Sequence, residues 1–111
     1  MKTLKFRASL SQLILRGQKN STWRLFDDKD LSIGDRLSLL VWETGHEFVR
    51  AKIVDVRVTT LGKLTAADWD GHEKFPDLAT MYRTYSQYYH QPVDASTEVK
   101  IIRFQLIADR D

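Results

Sequence analysis

The sequence predicts an α+β fold, a small mixed β-barrel with helices packed against it. Two observations carry the barrel and a third carries the helices. In two apolar strand patterns the alternation changes phase by one residue part-way along, as a β-bulge would make it do, and strongly curved sheets need such slips. Between them, apolar and aromatic residues recur at three- and four-residue steps behind an aspartate able to cap a helix. The 111 residues suffice for one domain, residues 1–111, with a buried core, and are too few for two.

Lys2 to Arg7 is expected as a short opening strand, with Leu4 and Phe6 on one face. Ser9 is expected to cap a helix in which Leu10, Leu13 and Ile14 fall at helical spacing. Gly17 stands where a left-handed residue would end it. Thr22 to Phe26 enters a second strand, Asp27 to Asp30 is a polar connection, and Ile33-Gly34-Asp35 is a turn. Arg36 to Trp42 reads as a core strand with Leu37, Leu39 and Val41 inward and Trp42 as packing at its end.

Thr44-Gly45 marks a hairpin. The return strand, roughly Phe48 to Thr59, carries Val49, Ala51 and Ile53, then Val54, Val56 and Val58 in the opposite phase. Thr65 can cap a short helical turn, and Asp77, after Pro76, a longer helix that Pro92 ends. On that helix Leu78, Met81, Tyr82, Tyr85 and Tyr89 form one stripe with the period of a buried face, and Tyr88 falls off it. The last strand repeats the change of phase, Val99 and Ile101 giving way to Ile102, Phe104 and Leu106.

With 42% hydrophobic and 29% charged residues, the composition is that of an ordinary soluble globular protein. The absence of cysteine excludes disulfides, thiol nucleophiles and zinc held through sulfur. His46, His72 and His90 lack metal-ligand spacing, so neither a metal nor another cofactor is expected. No apolar run resembles a signal peptide or approaches the length of a membrane span, so the expectation is a cytoplasmic protein without a membrane partner.

The net charge of +2 hides an asymmetry. Lys2, Lys5, Arg7, Arg16, Lys19 and Arg24 precede the first acid, Asp27. A basic entrance on a mildly acidic body points to an anionic partner. Its densest part is Gly17-Gln18-Lys19-Asn20-Ser21-Thr22-Trp23-Arg24, on the turn between helix and strand. The residues alone allow two readings. In one, Gly17 caps a helix while Lys19 and Arg24 are solvated. In the other, Thr22 and Arg24 alternate onto one strand face, Lys19 folds over it, and the three surround a small cleft. Such a cleft would bind phosphate or a base edge through Arg24 and Lys19. Alternatively it would be an active site, provided that a base takes the Thr22 proton. Trp69, in a loop between Asp68 and Asp70, is the tryptophan expected to contact a ligand.

The spacing Gly17-x-Lys19-x-x-Thr22-x-Arg24 resembles the signature of the ASCH family, small domains related to the PUA barrels that bind RNA. Gly34-Asp35, Trp42, a central run ending near Thr60 and the closing strand Val99 to Phe104 extend the resemblance over nearly the whole chain. It implies a PUA-like barrel whose partner is RNA or a modified nucleoside. Some compact members hydrolyse N4-acetylcytidine, and the resemblance to them implies Lys19 as base, Thr22 as nucleophile and Glu73 as proton donor. Arg24 would stabilise the oxyanion, and Arg16, Gly17 and Trp69 would join it in binding the substrate or RNA.

The chain departs from that pattern in three places. Asn20 stands where a second threonine is expected beside the lysine, Trp69 to His90 is longer and more aromatic, and Asp68 and Asp70 compete with Glu73 for the acid role. The alternative reading is a non-catalytic RNA-binding module. A third is a protein-interaction domain acting through exposed positions of the tyrosine-rich helix, such as Tyr88 and Arg83.

Overall fold

The computed structural model describes residues 1–107. Strand β1 (Lys2–Phe6) leads into helix α1 (Ala8–Leu15) and strand β2 (Ser21–Leu25). Strands β3 (Arg36–Val41) and β4 (Glu47–Thr60) form the hairpin expected at Thr44-Gly45, where Gly45 takes φ +75°. A single 3-10 turn (Leu61–Lys63), helix α2 (Ala66–Trp69) and helix α3 (Leu78–Tyr89) precede strand β5 (Glu98–Ile107).

The five strands form one sheet in the order β1-β3-β4-β5-β2. β1 lies parallel to β3 and every other pairing is antiparallel. The sheet curls as the phase slips require but stops at a half-barrel, because β1 and β2 pair only inward and face each other across an open seam.

The two slips have different causes. β4 carries both register shifts: its residues step from Ile53 to Asp55 while β5 moves one residue, and from Val49 to Glu47 while β3 moves one. The extra residue, Val54, faces solvent, and so does Val58. β5 has no extra residue. Its apolar pattern changes phase because the sheet is buried on both faces there. Ile102 and Phe104 join Leu4, Phe6, Leu37, Leu39 and Ile53 beneath α1, whereas Val99 and Ile101 join Trp23, Leu25, Leu61 and Met81 beneath α3. A strand separating two cores shows apolar residues at both parities without any bulge. Leu106, one step past Phe104 on the face of the first core, is exposed.

The helix ends follow local chemistry. Thr65 and Asp68 form a capping box on α2, and the Asp77 carboxylate accepts the Thr80 N–H at 2.7 Å on α3. Leu78 begins the α3 stripe yet is exposed, so burial starts at Met81. Ser9 lies inside α1 instead of capping it. The Ala8 N–H at the helix start donates to Glu43 Oε1 at 3.0 Å, a partner remote in sequence.

Candidate functional site

Gly17 decides where the basic segment goes. It adopts φ +77°, its N–H donates to the Ile14 carbonyl, and the Gln18 N–H donates to Leu13, which is a Schellman ending for α1. The chain is thereby turned back under the helix. Lys19 points inward and is only 2% exposed. Its Nζ donates to the Ser21 carbonyl at 2.7 Å and to Glu73 Oε2 at 2.5 Å, with the Phe6 ring 5.9 Å away.

Glu73 reaches Lys19 because two loops are locked together. The Gly71 carbonyl accepts the N–H groups of Asn20 at 3.0 Å and Ser21 at 3.2 Å. Gly71 has φ +76°, and a Cβ there would stand 1.9 Å from Asn20 Oδ1. Only glycine satisfies both the left-handed backbone and this approach. The Lys74 ammonium holds the same loop through the carbonyls of Trp69 and His72.

Between Glu73 and the second core sits His72. Its ring stacks on Trp23 with centroids 3.9 Å apart and planes 14° from parallel. His72 Nδ1 lies 2.7 Å from the Glu73 carbonyl. That oxygen can only accept, so Nδ1 carries the proton and Nε2, 3.5 Å from Glu73 Oε1, presents a lone pair. Burial first, then the Lys19 charge, push the His72 pKa down from 6.5 to about 4, so the ring is neutral at physiological pH.

The Lys19 amine is also pushed below its ordinary value. Desolvation lowers it and outweighs the Glu73 charge that raises it. For Glu73 burial acts upward, but the Lys19 charge and hydrogen bond and the influence of His72 prevail and hold the carboxyl below its usual range.

These groups lie at a cavity of about 220 Å³ at the open seam of the half-barrel. Its walls come from both free edges: Lys5, Phe6 and Arg7 of β1 and its end, and Thr22, Trp23 and Arg24 of β2. Phe75 and the α3 residues Tyr85, Tyr88 and Tyr89 close the other side. The Tyr89 hydroxyl also accepts the Leu25 N–H at 3.2 Å, satisfying part of the β2 edge. Burial, then the Glu73 charge, raise the Tyr85 phenol well above its ordinary value, so it stays protonated. The largely apolar, aromatic walls suit a planar ring, with Lys19, Thr22, Arg24 and Glu73 among the polar groups that line it.

Lys19, Thr22, Arg24 and Glu73, named from sequence, therefore line one cavity, with Thr22 9% exposed. The guanidinium Nε of Arg24 is buried with no hydrogen-bond partner among the described residues. Arg16 and Gly17 lie outside the cavity walls. Trp69 stands behind Trp23, edge-on at 4.7 Å, and contributes no wall. Of the competing acids, Asp68 is committed to Arg57 and the α2 cap, while Asp70 is exposed and away from the cavity.

Sequence reasoning missed His72, Trp23, Trp42 and the α3 tyrosines as cavity walls. For His72 the one available signal was adjacency to Glu73. The period of the tyrosines showed that they are buried, not what they are buried against. Trp42, expected as packing, is 46% exposed at the cavity mouth. Among the described residues no three His, Asp or Glu side chains are clustered as metal ligands, and no helix is long and apolar enough to cross a membrane.

No protein-family model and no curated protein matches the chain. Solved structures do. An ASCH domain from Lactobacillus crispatus superposes with TM-score 0.71 at 15% identity, covering 95% of this chain and 78% of its own. The ZmASCH protein of Zymomonas mobilis gives 0.62 at 12% identity, with 96% and 71% covered. The chain has an ASCH-type fold. A DUF984 protein from Enterococcus faecalis shares it with TM-score 0.79 at 13% identity, covering 96% of this chain and 76% of its own. At such identities the likeness establishes the architecture alone. The cavity of this ASCH-type half-barrel has to be interpreted from its own residues.

Proposed function

We propose that the cavity recognises a modified nucleoside and hydrolyses its exocyclic amide, with N4-acetylcytidine as the substrate. The observation that carries this reading is the pair of buried Lys19 and partly buried Glu73, both lining an aromatic-walled cavity that Thr22 also lines. An ion pair there holds one labile proton. Moving it across the 2.5 Å bond from Nζ to Oε2 leaves the net charge unchanged and yields an amine beside a carboxylic acid. The ion pair is the resting form, since Glu73 is held below its usual range, and the burial of Lys19 brings the neutral form within reach.

The amine takes the Thr22 hydroxyl proton as Thr22 Oγ attacks the acetyl carbonyl, and the Arg24 guanidinium faces the developing oxyanion. As the C–N bond breaks, the Glu73 acid protonates the departing N4. Cytidine leaves, and the acetyl group remains on Thr22 as an ester. Water then attacks the ester, the pair again moving one proton, and acetate and the Thr22 hydroxyl are released. Neutral His72, hydrogen-bonded to the Glu73 backbone, keeps the carboxyl in place throughout.

Hydrolysis of N4-acetylcytidine by the wild type, Lys19→Ala, Thr22→Ala and Glu73→Ala tests the reading. Turnover is expected in the wild type and is reduced by about 10²–10⁴-fold when the base or acid is removed. Absence of turnover in the wild type would overturn it. The alternative is a non-catalytic RNA-binding module, favoured by the exposed cations and aromatics at the mouth. It predicts RNA affinity that falls steeply with salt and no hydrolysis.

A further inference from the structure

The cations at the mouth differ from the paired lysines Lys2 and Lys100 of the same sheet. Lys2 is paired with Asp35 at 2.7 Å and Lys100 with Asp27 at 2.8 Å. Lys5 and Arg7, on either side of Phe6, have no carboxylate partner among the described residues. Both lie instead against the half-exposed Trp42 ring, the Lys5 Nζ 5.5 Å and the Arg7 Cζ 5.8 Å from its centroid. Trp42 is fixed in turn by its own N–H, which donates to the Phe6 carbonyl at 2.8 Å, and by Tyr88 at 6.4 Å. Glu43, next in sequence to Trp42, gives Oε1 to the Ala8 N–H.

A cation–π contact orients a cation without neutralising it. Two positive groups gathered on one ring repel each other, and an anion placed between them relieves the repulsion. Among the described residues Glu73 is the one carboxylate lining the cavity, and Lys19 already holds it. The mouth is thus prepared for a negative group attached to something flat enough to enter between the aromatic walls. A nucleotide has that combination. Its phosphate offers several acceptor oxygens and up to two charges, matching an ammonium and a guanidinium together.

We propose that Lys5 and Arg7, held on Trp42, form a phosphate subsite at the cavity mouth, so that a nucleotide bearing a 5′-phosphate is preferred over the bare nucleoside. The inference rests on the reading of the cavity as the site that takes the cytosine amide. The phosphate belongs either to a mononucleotide or to an RNA strand.

The test compares kcat/KM for N4-acetylcytidine, its 5′-monophosphate and a short RNA carrying the same base internally. The variants are the wild type, Lys5→Ala/Arg7→Ala and, as a control away from the mouth, Lys63→Ala. The wild type is expected to favour the monophosphate over the nucleoside by about ten- to a hundredfold at low salt. The ratio should fall towards one in the double variant and persist in the control. Preference for the RNA over the monophosphate, lost in the same double variant, would assign the phosphate to a strand.

A wild-type ratio near one, with both substrates turned over, overturns the subsite and leaves the amidohydrolase reading standing. If nothing is turned over, that reading fails and calorimetry with 5′-CMP against cytidine decides the subsite. Tighter 5′-CMP binding that depends on Lys5 and Arg7 supports it, and equal or absent binding of the two ligands overturns it.

Discussion

Asp68 and Glu73 lie on the same connection between β4 and α3, and each is paired with a cation, yet their surroundings differ. The Asp68 carboxylate accepts from Arg57 Nε at 2.9 Å, from the other Arg57 nitrogen, and from the backbone N–H and hydroxyl of Thr65. Both of its oxygens are committed to a cap and to a half-exposed guanidinium. Glu73 caps no helix, and its strongest partner comes from another loop. One oxygen meets Lys19, the other faces the lone pair of His72, and the cavity lies in front of both. A carboxylate whose hydrogen bonds are completed by its own helix end is structural. One held by a buried amine from another loop, at the wall of a cavity, is the one that the proposed hydrolysis uses.

The largest effect that separates the two sites is catalytic. Lys19→Met should abolish amide hydrolysis and, by leaving the Glu73 charge partly buried and unpaired, cost about 2–3 kcal/mol in denaturant unfolding. Lys19→Met/Glu73→Gln should regain part of that stability while remaining inactive, since it removes both charges. No recovery would mean that the pair itself holds the loops together.

A pH effect of similar size belongs to His72. Its folded pKa of about 4 lies below the unfolded 6.5, so the unfolded chain binds the extra proton. Stability is then lost as pH falls from 6.5 towards 4, by about 3 kcal/mol over the window. His72→Asn should flatten that part of the stability–pH profile, and an unchanged slope would assign the acid sensitivity elsewhere.

Gly71→Ala is next. The positive φ costs roughly 1–2 kcal/mol and the new Cβ meets Asn20, so the Glu73 loop should shift and activity should drop out of proportion to stability. Adding Asn20→Ala relieves the contact but not the dihedral and should restore part of the activity.

The smallest effects are expected at the Asp68 site. Asp68→Ala should cost about 1–2 kcal/mol through the lost cap, Arg57→Ala less, and neither should change kcat/KM by more than about twofold. A large catalytic loss in Asp68→Ala would remove the distinction between the two carboxylates.

Much of the fold was legible because it is written in local chemistry. The Gly17 turn, the Asp77 cap, the Thr44-Gly45 hairpin and the phase slip at Val54 depend on neighbours a few residues away. The slip in β5 was visible but misattributed, because a bulge and a change of buried face leave the same pattern in sequence. Lys19, Thr22, Arg24 and Glu73 could be named from their spacing and from likeness to a family. That His72 and Trp42 face the same cavity could not, since neither position differs in pattern from an ordinary loop or core residue.

By itself, then, the sequence determined the curled mixed sheet, the helix ends and a basic turn carrying a lysine, a hydroxyl and an arginine. Tertiary structure alone decided which carboxylate meets that lysine, that the barrel stays open along β1 and β2, and that the seam between them is lined with aromatic rings. The reason is physical. Caps, turns and periodicity act over one or two turns of chain, whereas the Lys19–Glu73 pair exists only once both loops have been brought together.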